Sequence, residues 1–180
     1  MLSVKQLAAI ESPWTTMPPV RLGKVPSGLG TADLFVTISD DDRPLVRLDL
    51  YGDFSSETFT FQDALVWCER VFVGFGHRVY VIDPKTQLAS EIFLGEVGEG
   101  FGYFGHFYAG KDYLLIASGD SLLRLSSDGK LLWSAPNLGR DGVVVTSVQN
   151  GTIQGEGEWD SPGGWKPFAL RLDSGELLAG

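Results

Sequence analysis

Cysteine occurs once in the 180 residues, at Cys68, so no internal disulfide can form and a reducing compartment is the expected setting. Basic residues are few. Fourteen Lys and Arg face 23 Asp and Glu, a net charge of −9 with a pI near 4.6. No basic run or stripe exists to release counterions from a phosphate backbone, and nucleic acid is therefore not an expected partner. Long apolar stretches are missing too. Nothing approaches the roughly 18 residues of a membrane span, and Met1–Ile10 lacks the apolar centre of a signal peptide before Glu11 and Pro13 intervene. A cytoplasmic protein with no membrane partner is expected. Histidine is limited to His77 and His106, too few with one Cys for the three or four ligands of a zinc site.

What the chain has is glycine and aromatics: 23 Gly, 11 Phe, 5 Trp and 5 Tyr, which suit short strands and tight turns. One stretch reads as a short N-terminal helix, with Ser3 as a cap, Leu2, Leu7 and Ile10 on it, and Pro13 ending it. Glu11–Pro19 then forms a Pro-rich tether whose Trp14 packs back on the body or offers a docking point. Residues 1–20 are thus expected as helix and tether, and 21–180 as a single β domain. Beyond Leu34 the apolar and alternating runs are four to seven residues long. They lie between Gly, Asp, Asn and Pro, from Leu34–Ile38 and Leu45–Leu50 through Thr58–Phe61 to Phe168–Leu172. An all-β fold is expected.

A repeat appears when the polar tips are aligned. Val79–Gln87, Leu122–Gly129 and Phe168–Gly175 share one pattern, and Gln87, Gly129 and Gly175 stand 42 and 46 residues apart. That period belongs to four-stranded propeller blades. With Asp83 and Thr86 at one end of the pattern and Gly129 and Trp133 at the other, residues 64–180 resemble the repeats of quinoprotein-type (PQQ-like) β-propellers. The resemblance implies a propeller-like array of about three to four antiparallel blades. Gln87 and Ala179 depart from it, and the quinoprotein cofactor chemistry does not carry over. Self-association that completes a ring is an alternative use of such a chain.

Several chemical-looking motifs have plainer readings. Gly100–Gly105 matches the dinucleotide fingerprint but is crowded by Phe101, Tyr103 and Phe104 and followed by a β pattern, so an aromatic strand is expected. Ser127–Lys130 spells Ser-x-x-Lys at a hairpin tip. Asn150-Gly151 is a hairpin turn between Val143–Val148 and Thr152–Glu158. Asp40, Asp41 and Asp42 read as a solvated turn. Cys68, after Trp67 in an apolar run, reads as buried and inert. No Gly-x-Ser-x-Gly elbow or phosphate-binding loop is present, and no catalytic residue is assigned.

The segment Thr152–Pro167 stands out. On a strand, Gln154, Glu156, Glu158 and Asp160 project to one side and Ile153, Gly155, Gly157 and Trp159 to the other, with same-face neighbours about 6.5–7 Å apart. The two glycines leave room for another strand or a ligand to approach. Trp159 and Trp165 flank a turn at 161–164, and Lys166 and Arg171 would neutralise the acids from the partner strand. Glu156, Glu158, Trp159, Asp160 and Trp165 are the candidate partner- or ligand-binding residues. The leading reading is a non-enzymatic interaction module, an inhibitor or immunity-type protein that binds a basic protein through an acidic and aromatic face. The alternative is a carbohydrate or small-ligand site, with hydrolysis as its catalytic version. No cofactor is expected apart from the option of Ca²⁺, which takes carboxylate oxygens but needs six to eight ligands.

Overall fold

The computed structural model describes residues 1–28, 30–52, 61–94, 105–160 and 162–178. Its strands form four small sheets. The first holds β1 (Leu2–Leu7), β2 (Val20–Gly23), β3 (Leu34–Asp40) and β4 (Arg43–Tyr51) in the order β1-β3-β4-β2, with β2 parallel to β4 and the other pairs antiparallel. The second is a meander of β5 (Gln62–Trp67), β6 (Arg70–Phe75), β7 (Arg78–Asp83) and β8 (Leu88–Phe93). The third is a meander of β9 (Gly105–Ala109), β10 (Leu114–Ser118), β11 (Leu122–Leu125) and β12 (Leu131–Ala135). The fourth holds β13 (Gly142–Gln149), β14 (Thr152–Trp159) and β15 (Gly164–Arg171), and Leu177 bridges to Leu170 at its edge.

Three apolar cores stack these sheets in sequence order. Val36, Leu48 and Leu50 meet Val73, Tyr80 and Ile82 between the first two sheets. Phe72, Val79 and Val81 meet Leu114, Ile116 and Leu123 between the second and third. Leu115, Ala117 and Leu122 meet Val143, Ile153 and Leu170 between the third and fourth. The second and third sheets are therefore buried on both faces, which is why β6 and β10 read as unbroken apolar runs while the terminal strands alternate.

This arrangement corrects two expectations. Among the described residues no core joins the fourth sheet to the first, so the row is not closed and the propeller-like array does not form. The first sheet is not a meander at all. Nothing here supports repeats of the quinoprotein type. The alignment of Gln87, Gly129 and Gly175 has a local cause: all three have positive φ, at +59°, +83° and +70°. Each turn also lies against the preceding sheet. A Cβ on Gly129 would stand 2.7 Å from Val81, one on Gly175 would stand 2.6 Å from the Trp133 ring, and Gln87 Nε2 donates to the Leu45 carbonyl.

The N-terminal helix is also absent. Leu2–Leu7 is a strand whose Leu2 and Val4 pack on the first core, because the backbone of β3 has an edge to satisfy and β1 fills it. The tether has one helical turn, a 3₁₀ turn at Trp14–Thr16. It lies on the outer side of the first sheet, where the Trp14 carbonyl accepts from Arg47 Nη1. No helix among the described residues is long and apolar enough to cross a membrane.

Candidate functional site

The fourth sheet is the last of the row, so one of its faces meets the third sheet and, among the described residues, the other has no sheet against it. Its register follows from two turns. Asn150 and Gly151, with φ of +49° and +74°, close the β13–β14 hairpin as Asn-Gly favours. The hydrogen bond from Gly163 N–H to the Asp160 carbonyl, with Gly164 at φ +62°, returns the chain into β15.

Alternation along β14 holds as the sequence suggests. Ile153, Gly155 and Gly157 are buried on the inner face, and Gln154 and Glu156 are exposed on the outer one. The room left by the glycines is filled by the chain itself. A Cβ on Gly155 would stand 2.3 Å from the Phe168 ring, and one on Gly157 only 1.7 Å from the Leu138 carbonyl oxygen.

The five candidate residues do not form one surface. Trp165 pairs across the strands with Glu158, and Glu156 lies two residues along on the same outer face. Trp159 is on the inner side, where Lys166 Nζ lies 5.4 Å from its ring centroid. Asp160 accepts from Arg140 Nη1 at 3.0 Å. The expected neutralising cations are elsewhere: Lys166 is on the inner face, and Arg171 is ion-paired with Glu176 at 3.2 Å. The continuous acidic and aromatic face drawn from all five residues is thus replaced by a smaller outer row of Glu156, Glu158 and Trp165.

Gly142 completes that row, and sequence reading missed it. A bulge at Thr146 shifts the β13 register by one residue and sets Gly142 opposite Glu158. A Cβ there would lie 3.4 Å from Trp165 Cη2 and 3.9 Å from Glu158 Oε2. The indole therefore extends across β14, over the half-buried Glu158, to the bare backbone of β13. It remains 48% exposed.

Elsewhere, Cys68 corrects its reading. It is exposed at the tip of the β5–β6 hairpin, where Cys68 and Glu69 have φ of +50° and +59°. Asp41 and Asp42 form the same kind of turn, as a solvated hairpin predicts. His106 is not isolated: its Nδ1 lies 3.0 Å from Asp63 Oδ2, which also accepts from the Phe107 N–H. That carboxylate joins the second sheet to the third. The Gly100–Gly105 run and Thr58–Phe61 lie outside the described residues except for Gly105, which opens β9, and Phe61, which is buried against it. Among the described residues no group of three or more His, Cys, Asp or Glu side chains is placed to hold a metal ion. Comparison with known proteins finds no matching family model and no matching curated protein.

Proposed function

We propose that the protein is a non-enzymatic interaction module that binds a basic segment of a partner protein on the outer face of the fourth sheet. One observation carries the reading: Trp165 stands half-exposed beside Glu158 and Glu156, its ring tip over Gly142, on a face from which none of the described residues enters a core. Exposed tryptophans are frequent centres of binding energy, and uncompensated carboxylates favour a cationic partner and speed its approach. The arginines nearest this row, Arg140 and Arg171, already have carboxylate partners. A two-fold self-association through this face would place Glu156 and Glu158 of two copies together, so a different, basic chain is the better occupant.

Affinity capture from the native host's lysate tests this, with wild type, Trp165→Ala and Glu156→Gln/Glu158→Gln as baits of matched thermal stability. A basic protein held by wild type and lost by both variants is expected. Identical retention by all three baits would contradict it.

The small-ligand reading rests on a different feature, a groove of about 720 Å³ beside the last hairpin lined by Leu138, Glu156, Trp159, Lys166, Phe168 and Leu177. That volume is within the usual range for ligand sites. A melting-temperature rise with neutral sugars that Trp159→Ala abolishes would favour this reading over the first.

A further inference from the structure

The outer face of the first sheet contains a filled version of what the fourth sheet leaves open. There Phe35 of β3 pairs across the strands with Asp49 of β4. Arg47, two residues before Asp49 on the same strand and face, lies over the Phe35 ring with its guanidinium carbon 5.7 Å from the centroid. Its Nε and Nη2 donate to the two Asp49 carboxylate oxygens at 2.8 and 2.9 Å, and its Nη1 donates to the Trp14 carbonyl. One arginine is thus gripped by an aromatic ring, a bidentate carboxylate and a backbone carbonyl.

The fourth sheet repeats the first two parts in the same antiparallel register. Trp165 stands across from Glu158 as Phe35 stands across from Asp49. The third part differs. Two residues before the carboxylate, where β4 carries Arg47, β14 carries Glu156. Among the described residues no cation is paired with this ring and carboxylate, and a second carboxylate occupies the place from which one would have come.

We infer that Gly142, Glu158 and Trp165 form a seat for an arginine supplied by the partner. This rests on the interaction reading above and names its central contact. A guanidinium suits the seat better than an ammonium: it is flat, weakly hydrated, stacks on an indole face and presents parallel N–H donors to a carboxylate. Gly142 matters because the indole tip lies at ordinary van der Waals distance from where a Cβ would stand, so a branched side chain there would displace the ring. Glu156 adds charge beside the seat but does not choose between arginine and lysine. The same hairpin already carries a cation over an indole on its inner face, with Lys166 and Trp159.

The probes are penta-arginine and penta-lysine, of equal charge, titrated at one low ionic strength. The readout is the Trp165 indole N–H resonance, assigned with Trp165→Phe. Penta-arginine is expected to move that resonance and to bind about threefold to fivefold tighter than penta-lysine, because an ammonium can neither stack flat on the indole nor offer the carboxylate two parallel donors. Trp165→Ala and Gly142→Val should each abolish the preference. Glu156→Gln should weaken both peptides alike. Equal affinity of the two peptides for the wild type, or binding that leaves the Trp165 resonance unmoved, would overturn the seat. If that occurs while capture still depends on Glu156 and Glu158, the interaction module stands and only the arginine is wrong. An arginine preference with no captured partner would leave the seat and remove the module.

Discussion

Arg47 and Asp49 have side-chain exposures of 15% and 7%, so removing one leaves the other charged and largely cut off from water. Breaking such a pair costs about 3–5 kcal/mol, whereas replacing both by apolar residues is often close to neutral. Arg47→Met should therefore lower the unfolding free energy by about 3 kcal/mol, and Arg47→Met/Asp49→Leu should recover most of the loss, both read from urea denaturation midpoints. Asp128 is a different residue-scale case. The Lys130 ammonium, followed by the Ser126 hydroxyl, holds its carboxyl down at about 2 at the exposed tip between β11 and β12. A carboxyl lowered on folding contributes stability above its unfolded value, 3.8, and loses it as pH falls toward the folded one. Wild type should therefore lose more stability than Asp128→Asn between about pH 4 and pH 2. Equal losses in the two proteins would show that the tip interactions do not form.

At the scale of elements, three hairpins, β3–β4, β5–β6 and β13–β14, are closed by two-residue turns with left-handed pairs, and their residues differ in how well they suit that conformation. Asn150-Gly151 is the favoured choice, whereas Cys68-Glu69 has a side chain at both left-handed positions. Cys68→Asn/Glu69→Gly should raise stability by roughly 0.5–2 kcal/mol, measured by denaturation, by relieving that strain. The strands themselves were legible because two-residue alternation and apolar runs are local signals, and most expected runs fall inside observed strands. Leu2–Leu7 was not. Three apolar residues and a Ser resemble a capped helix locally, and only the open edge of β3, distant in sequence, decides for a strand. Leu88–Phe93 gives little local signal for a related reason. As an exposed edge strand it lacks a buried face to give it a pattern.

On the scale of the whole molecule, the stacking of sheets was legible in part and its closure was not. Glycines at 129 and 175 mark where one sheet approaches the turn of the next, but no local feature says whether the last sheet returns to the first. The same limit applies to the candidate site. Glu156 and Glu158 share a face by alternation alone, which the sequence shows. That Trp165 joins them while Trp159 does not depends on the β14–β15 register, and Gly142 enters only through the bulge at Thr146. The open row also explains why its two ends differ. The tether crosses the outer side of the first sheet and Arg47 fills the aromatic and acidic pair there, while the fourth sheet keeps its pair uncovered.

The most direct measurement is the dissociation constant of the captured basic protein for wild type and for Trp165→Ala, at one salt concentration. A residue at the centre of an interface costs at least about 2 kcal/mol when truncated, so a weakening of roughly 30-fold is expected. Affinities equal within about twofold, less than 0.5 kcal/mol, would place the interface elsewhere and contradict the outer face of the fourth sheet as the binding surface.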